Sequence, residues 1–312
     1  MIADISIIIP IYNETENIPQ LCMQLNEFTG LHSDLKFEII FVDDGSTDDS
    51  IRVINSNRLD SNYKVIKLSR NFGSHPALRA GILNSKGEFT TFTYADLQDP
   101  LELIIELYKL SKKGNNIVWA ARINSKSGLI ESILSKTYAA LMKKFVNPDF
   151  PSKGFDVVMF DSKIKEELNR NIESNSSIFL QILDLGFKQD FIEYEKRERT
   201  AGKSKWTLSK KIKLFVDSFV AFSFMPIRLV TITGITLFFI GIVYALYIIL
   251  RELIVGDLAP GWPTLISILM ICFGVTNISL GIIAEYLWRT LDASRHRPVF
   301  IIDEISEKTD KT

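Results

Sequence analysis

Over roughly the first two thirds of the chain, short runs of β-branched and aromatic residues alternate with longer stretches whose apolar positions recur at helical spacing. Ile5–Ile11, Phe37–Val42, Val65–Leu68, Phe89–Thr93 and Ile117–Ala121 predict strands, and Glu16–Phe28, Asp48–Asn55, Pro76–Leu83 and Leu101–Lys112 predict helices. Ile7-Ile8-Ile9 and Glu38-Ile39-Ile40-Phe41-Val42 are apolar toward both faces of a strand. That is the pattern of strands covered by helices on both sides of a mostly parallel sheet, so the expected class is α/β. Ligands of such sheets bind beyond the carboxyl ends of the strands. Polar clusters stand at those ends: Tyr12-Asn13-Glu14, Asp43-Asp44-Gly45-Ser46, Ser69-Arg70-Asn71 and Asp96-Leu97-Gln98-Asp99.

Near residue 226 the pattern changes. No charge falls between Arg228 and Arg251, and Leu229–Leu250 is long enough to cross a hydrocarbon core. A second uncharged stretch ends at Ala284, and with Pro260 and Pro263 at its mouth the expected span is Thr264–Ala284. Just before the spans, Leu208, Ile212, Phe215, Phe219 and Phe222 recur at steps of four and three. Lys210, Lys211, Lys213 and Asp217 occupy the other faces, which predicts an amphipathic helix lying in the membrane interface or packed on the globular part. The expected organisation is therefore a globular domain at 1–206, an interfacial segment at 207–226, a two-helix anchor at 227–288 and a tail at 289–312.

Charge supplies the orientation. Lys203, Lys205, Lys210, Lys211, Lys213 and Arg228 precede the first span and Arg289, Arg295 and Arg297 follow the second, whereas the loop between offers only Arg251. Both termini are expected in the cytoplasm, with the anchor in the cytoplasmic (inner) membrane. Over the whole 312 residues, 36 Lys+Arg and 37 Asp+Glu nearly cancel, so no basic field points to nucleic acid. Cys22 and Cys272 lack metal-ligand spacing, and a disulfide framework is not expected. Met1-Ile2-Ala3-Asp4 has no basic n-region and reads as the approach to a strand rather than as a signal peptide. Pro298–Ile302 is expected as an edge strand, open to pairing with a neighbouring subunit in a homo-oligomer.

Five strings occur in one order: Ile-Ile-Pro-Ile-Tyr-Asn-Glu (8–14), Phe-Val-Asp-Asp-Gly-Ser-Thr-Asp (41–48), Ser-Arg-Asn-Phe-Gly (69–73), Ala-Asp-Leu-Gln-Asp-Pro (95–100) and Arg-Thr-Ala-Gly-Lys-Ser-Lys-Trp (199–206). Together with the paired spans they resemble, over nearly the whole chain, the family-2 glycosyltransferases of GT-A fold. The branch they resemble is the polyprenyl-phosphate glycosyltransferases, which includes dolichol-phosphate mannose synthase. The resemblance implies a GT-A nucleotide-sugar-binding domain with two C-terminal transmembrane helices, and inverting transfer from a nucleotide diphosphate sugar to a membrane polyprenyl phosphate. Transfer to another membrane lipid and a catalytically degenerate nucleotide-sugar-binding scaffold remain the alternatives.

Chemistry and resemblance agree on the donor side. A nucleoside offers base N–H and ribose O–H groups, which the carboxylates Glu14, Asp43 and Asp44 can accept. The resemblance implies that Pro10, Tyr12, Glu14, Asp43 and Asp44 form the nucleoside pocket and that Asp96, with Gln98 beside it, meets the metal and diphosphate. Asp48 and Ser46 are read instead as turn and cap residues. The chain departs from the family at Tyr94, where the family's Asp-x-Asp has its first carboxylate, and a phenol is a poor ligand for Mg²⁺ or Mn²⁺ at neutral pH. Mg²⁺ is commonly held by one or two carboxylates plus phosphates, so Asp96 remains the expected metal ligand. On the acceptor side, Arg122, Arg199 and Lys205 are expected to neutralise the lipid phosphate, with Arg197 and Lys203 either sharing that role or simply solvated. Asp156 matches a family carboxylate when the segment is laid out without gaps back from Lys163, a capping Asp being the other reading.

Overall fold

The computed structural model describes residues 3–57, 59–123, 129–151, 155–173, 176–197, 223, 225–255, 261–295 and 297–308. Arg199, Lys205 and the expected interfacial helix lie outside the described residues. The chain forms two units, Met1–Phe215 with Pro298–Thr312, and Val216–Arg297.

The first unit is an eight-stranded sheet in the order β7-β5-β6-β4-β1-β2-β3-β8. Its strands are β1 (Ile5–Ile11), β2 (Phe37–Asp43), β3 (Tyr63–Leu68), β4 (Phe89–Phe92), β5 (Ile117–Arg122), β6 (Phe155–Asp161), β7 (Gln189–Tyr194) and β8 (Ile302–Lys308). Its helices are α1 (Ile18–Leu31), α2 (Ser50–Ser56), α3 (Ser74–Leu83), α4 (Glu102–Ser111), α5 (Leu129–Phe145), α6 (Ser162–Arg170) and α7 (Ile178–Asp184). All strands run parallel except β6 and β8. The mostly parallel α/β architecture is therefore present.

Central β1 is buried on both faces, which is why its sequence shows no alternation. Ile5, Ile7, Ile9 and Ile11 share one core with Leu21 and Leu25 of α1 and Ile104 and Leu107 of α4. On the opposite face Ile8 meets α3 so closely that a Cβ on Gly81 would lie 2.4 Å from Ile8 Cγ2. The chain leaves β1 toward β2 and β3 on one side, then crosses back through α3 to β4 on the other. The order thus reverses between β1 and β4, and the crevice beyond their carboxyl ends is where such sheets bind ligands.

The C-terminal strand differs from expectation. It lies at Ile302–Lys308 rather than Pro298–Ile302, and it pairs antiparallel with β3 of its own chain. Lys64 anchors it: its Nζ lies 3.3 Å from Glu38 and 3.1 Å from Glu307 and donates to the Asn84 carbonyl at 2.9 Å, with the side chain only 6% exposed. Asp303, Glu304, Glu307 and Lys308 make the new edge strongly charged, a feature that blunts edge-to-edge pairing. Lys64→Met leaves Glu38 buried without its cation and is expected to destabilise the protein by about 3 kcal/mol, read as a lowered Tm in detergent. A Tm equal to wild type would refute the anchoring role.

The second unit contains α8 (Met225–Val255) and α9 (Trp262–Ser294). Both are long and apolar enough to cross a membrane, over Ile227–Tyr244 with mean hydropathy 2.0 and Ile271–Asp292 with mean hydropathy 1.4. α9 continues beyond the expected Ala284 to Ser294. The hydroxyls of Thr231, Thr233, Thr236 and Thr276 each donate to the carbonyl four residues earlier, which lets a polar side chain face lipid without an unsatisfied donor. Phe239 and Phe273 are among many large apolar side chains left exposed, the surface expected of membrane association.

Candidate active site

The loops that follow β1 and β2 are stitched to each other. Ile11 and Asp43 are register partners at the strand ends, and the Asp44 N–H donates to the Ile11 carbonyl at 2.8 Å. Asn13, at a left-handed φ of 53°, receives the Thr47 N–H on Oδ1 at 2.8 Å and donates its own N–H to Ser46 Oγ at 2.9 Å. The Glu14 N–H donates to Ser50 Oγ at 2.9 Å, and Glu14 Oε2 accepts from Asn17 at 2.7 Å. Asp48 ties Thr15 to Ser50 through both oxygens, the structural role expected of it. This framework brings Pro10, Tyr12, Glu14, Asp43 and Asp44 to one end of the adjacent strands β1 and β2.

Asp43 and Asp44 then play different parts. Asp44 accepts the Phe72 N–H on Oδ1 at 2.7 Å and the Gly73 N–H on Oδ2 at 2.9 Å, so its carboxylate fastens the loop that follows β3. Gly45 lets that loop approach, since a Cβ there would stand 2.4 Å from the carbonyl carbon of Arg70. Asp43 is fully buried; Oδ2 accepts from the Ser46 N–H at 3.1 Å, whereas Oδ1 has no hydrogen-bond partner. Burial raises both carboxyl pKa values above the ordinary range. A buried carboxylate oxygen without a donor is costly and is satisfied when a ligand N–H or O–H reaches it.

Across β1, the strand β4 ends at Phe92 and the chain turns through Tyr94-Ala95-Asp96, with Leu97 at a left-handed φ of 57°. Burial, and after it the Asp99 charge, pushes the Tyr94 hydroxyl pKa up, so it stays a neutral phenol at neutral pH and is no anionic ligand. Asp96 is partly buried, and its Oδ1 receives the Gln98 N–H at 3.4 Å. Gln98 is joined twice to Arg197: the Arg197 N–H donates to its carbonyl at 2.9 Å, and its Nε2 donates to the Arg197 carbonyl at 3.3 Å. The segment leading from β7 toward Arg199 is thereby fastened to the Asp96 loop.

Sequence reasoning did not single out the next three residues. Asp99 Oδ1 accepts the Tyr194 hydroxyl at 2.6 Å and lies 3.5 Å from Lys196 Nζ, while Asp99 Oδ2 is buried without a partner. Arg122, the register partner of Tyr194, ends β5 beside them. The only sequence signal for Asp99, Tyr194 and Lys196 was the second Asp of Asp96-Leu97-Gln98-Asp99. Asp156 falls where β6 bulges against β5: Ala120 pairs with Val157 and Ala121 with Phe155, so Asp156 is the extra residue. Bulges of this kind are frequent beside active sites.

A divalent cation fits this chemistry only in part as a protein-held ion. Among the described residues no three His, Cys, Asp or Glu side chains gather. Asp96 nevertheless offers one carboxylate at the strand end, which suits a cation completed by substrate phosphates and water.

The family model for glycosyl transferase family 2 matches residues 6–175, more than half of the chain. The model of the GtrB C-terminal hairpin matches residues 225–289. An uncharacterized glycosyltransferase of Bacillus subtilis is 33% identical over 96% of this chain and 93% of its own length. The bactoprenol glucosyl transferase of Shigella phage SfV is 30% identical over 97% and 99%. The undecaprenyl-phosphate 4-deoxy-4-formamido-L-arabinose transferase of Pseudomonas syringae is 31% identical over 96% and 90%. The matched region begins in β1 and takes in the strand ends that carry Asp43, Asp44 and Asp96, and the relatives extend the match through the hairpin. The chain accordingly belongs to glycosyl transferase family 2, as a glycosyltransferase with the GtrB-type C-terminal hairpin.

Proposed function

We propose that this glycosyltransferase moves a sugar, with inversion, from a nucleotide diphosphate sugar to a polyprenyl phosphate at the cytoplasmic leaflet of the inner membrane. The observation that carries the reading is that relatives named for bactoprenol and for undecaprenyl phosphate align along both the sheet and the hairpin, over 97% and 96% of this chain. An acceptor of that kind brings its own nucleophile, because a phosphate monoester with a second pKa of about 6 is largely ionised at neutral pH. One of its oxygens forms the new bond to the anomeric carbon as the bond to the nucleoside diphosphate breaks. The protein has only to position the reactants and balance charge.

In this reading Pro10, Tyr12, Glu14, Asp43 and Asp44 bind the nucleoside. The unpartnered buried oxygen of Asp43 supports it. Asp96, with Gln98 beside it, would hold Mg²⁺ or Mn²⁺, which would supply charge neutralisation to the donor diphosphate. Arg122, Arg199 and Lys205 neutralise the acceptor phosphate, and Asp156 shares the sheet end of Arg122. For orientation, β8 belongs to the same sheet as β1 although α8 and α9 lie between them in sequence. Two crossings return the chain to the side it left, in agreement with the basic residues that flank the spans.

Full-length protein incubated with undecaprenyl phosphate and a panel of radiolabelled nucleotide sugars should yield a labelled lipid phosphate. Label on diacylglycerol instead would move the acceptor assignment to another lipid. Donor binding without turnover would favour the scaffold reading that Tyr94 suggests. Reporter fusions should find both termini in the cytoplasm, and a periplasmic signal from either end contradicts the orientation.

A further inference from the structure

Within the glycosyl-transfer reading proposed above, the geometry points to Lys196 as a phosphate-binding residue of this site, with Asp99 as the residue that positions its ammonium group. Lys196 follows β7 directly, and its backbone neighbour Arg197 is hydrogen-bonded at both N–H and carbonyl to Gln98, two residues from Asp96. The ammonium lies 3.5 Å from Asp99 Oδ1; the Asp99 side chain is 2% exposed and that of Lys196 16%. Asp99 is thus the more deeply buried member of the pair, and the Lys196 side chain keeps some exposure. Asp99 is itself fixed by the Tyr194 hydroxyl at 2.6 Å. Asp96 and Arg122 also act on the Lys196 charge, which puts all four ionic groups in one electrostatic neighbourhood.

Among the described residues, two carboxylates, Asp96 and Asp99, share that neighbourhood with two cationic groups, Arg122 and Lys196. An aspartate at position 94 would give the cluster a negative excess that only an added cation could offset. With Tyr94 in its place no such excess arises, and the ammonium held by Asp99 can meet phosphate oxygens. A purely structural pair predicts something different: removing one partner of a buried ion pair lowers stability but leaves ligand affinity unchanged.

The test uses the full-length protein in nanodiscs, with inorganic pyrophosphate standing for the donor diphosphate and undecaprenyl phosphate for the acceptor. Binding of each probe is measured by calorimetry, with Mg²⁺ and with EDTA, for wild type, Lys196→Met, Lys196→Arg and Asp99→Asn. Loss of one charge-assisted hydrogen bond is expected to weaken one probe about tenfold or more in Lys196→Met. Lys196→Arg restores most of the binding. Asp99→Asn, which keeps the ammonium but releases it, falls between. Weakening of pyrophosphate with a raised donor KM assigns the contact to the donor; weakening of undecaprenyl phosphate with a raised lipid KM assigns it to the acceptor. Wild-type affinity of folded Lys196→Met for both probes, with Tm lowered or not, overturns the proposal while wild-type turnover leaves the glycosyl-transfer reading intact. If Lys196→Met does not fold, equal probe affinities in Lys196→Arg, Asp99→Asn and wild type overturn it instead. Wild-type protein that binds neither probe and transfers no sugar overturns both.

Discussion

Asp96→Asn is expected to lower kcat/KM by a factor of about 10²–10³, the range seen when one electrostatic contact to a developing charge is removed. The size follows from the lack of redundancy. No cluster of three potential ligands stands among the described residues, Tyr94 is a neutral phenol, and Asp99 is committed to Tyr194 and Lys196. Nucleoside binding should survive, because Glu14, Asp43 and Asp44 stand at the ends of β1 and β2, whereas Asp96 follows β4. Tyr94→Asp provides the converse. It adds an oxygen ligand next to Asp96 and should lower the Mg²⁺ or Mn²⁺ concentration for half-maximal activity. It also adds a negative charge near Asp99, so its Tm should rise more on metal addition than that of wild type. If wild-type turnover persists in EDTA and Tyr94→Asp behaves like wild type, cationic side chains rather than a metal stabilise the diphosphate.

Gly45→Ala should cost about 3 kcal/mol of stability and weaken the donor nucleotide at least about tenfold, with the lipid acceptor unaffected. Gly45 has φ 67°, a conformation that L side chains rarely adopt. Its added Cβ would lie 2.4 Å from Arg70 C, 2.6 Å from Asn71 N and 2.8 Å from Arg70 Cα. These are backbone atoms, so relief requires the whole loop to retreat. Retreat pulls Phe72 and Gly73 from the Asp44 carboxylate and unpairs two buried acceptors. Gly114→Ala is the matched control: its φ is 89° but nothing stands within 4 Å, so it should show only local strain and normal donor binding. Thermal unfolding and nucleotide titration of both variants check this, and equal behaviour of the two would refute the close-approach argument.

The elements that sequence pattern revealed are those whose burial is complete or whose periodicity is local. β1 to β5 and α1 to α4 form within about three residues of their expected limits, and helices α8 and α9 contain the expected spans. β7 was not legible, because Gln189-Asp190-Phe191-Ile192-Glu193-Tyr194 is half polar and only partly buried at the sheet edge. Nor was β8 as positioned, since Ile302-Asp303-Glu304-Ile305-Ser306-Glu307-Lys308 becomes a strand only by pairing with β3 from more than two hundred residues away. The site divides in the same way. The strings that place carboxylates at strand ends could be read along the chain, as could the missing first carboxylate at Tyr94.

Sequence by itself determined the family, the mostly parallel sheet, the apolar hairpin and the polar strand ends, because each of these is written in neighbouring residues at a fixed period or spacing. Tertiary structure alone decided which carboxylate does what. Asp43 and Asp44 are adjacent and chemically identical, yet one turns both oxygens onto the N–H groups of Phe72 and Gly73 while the other keeps a buried oxygen without a donor. Asp99 and Lys196 are distant in sequence and meet only because β4, β5 and β7 end on the same side of the sheet. A side chain's role depends on the donors and charges that the fold brings within hydrogen-bond reach, and those come from strands whose order no local pattern encodes.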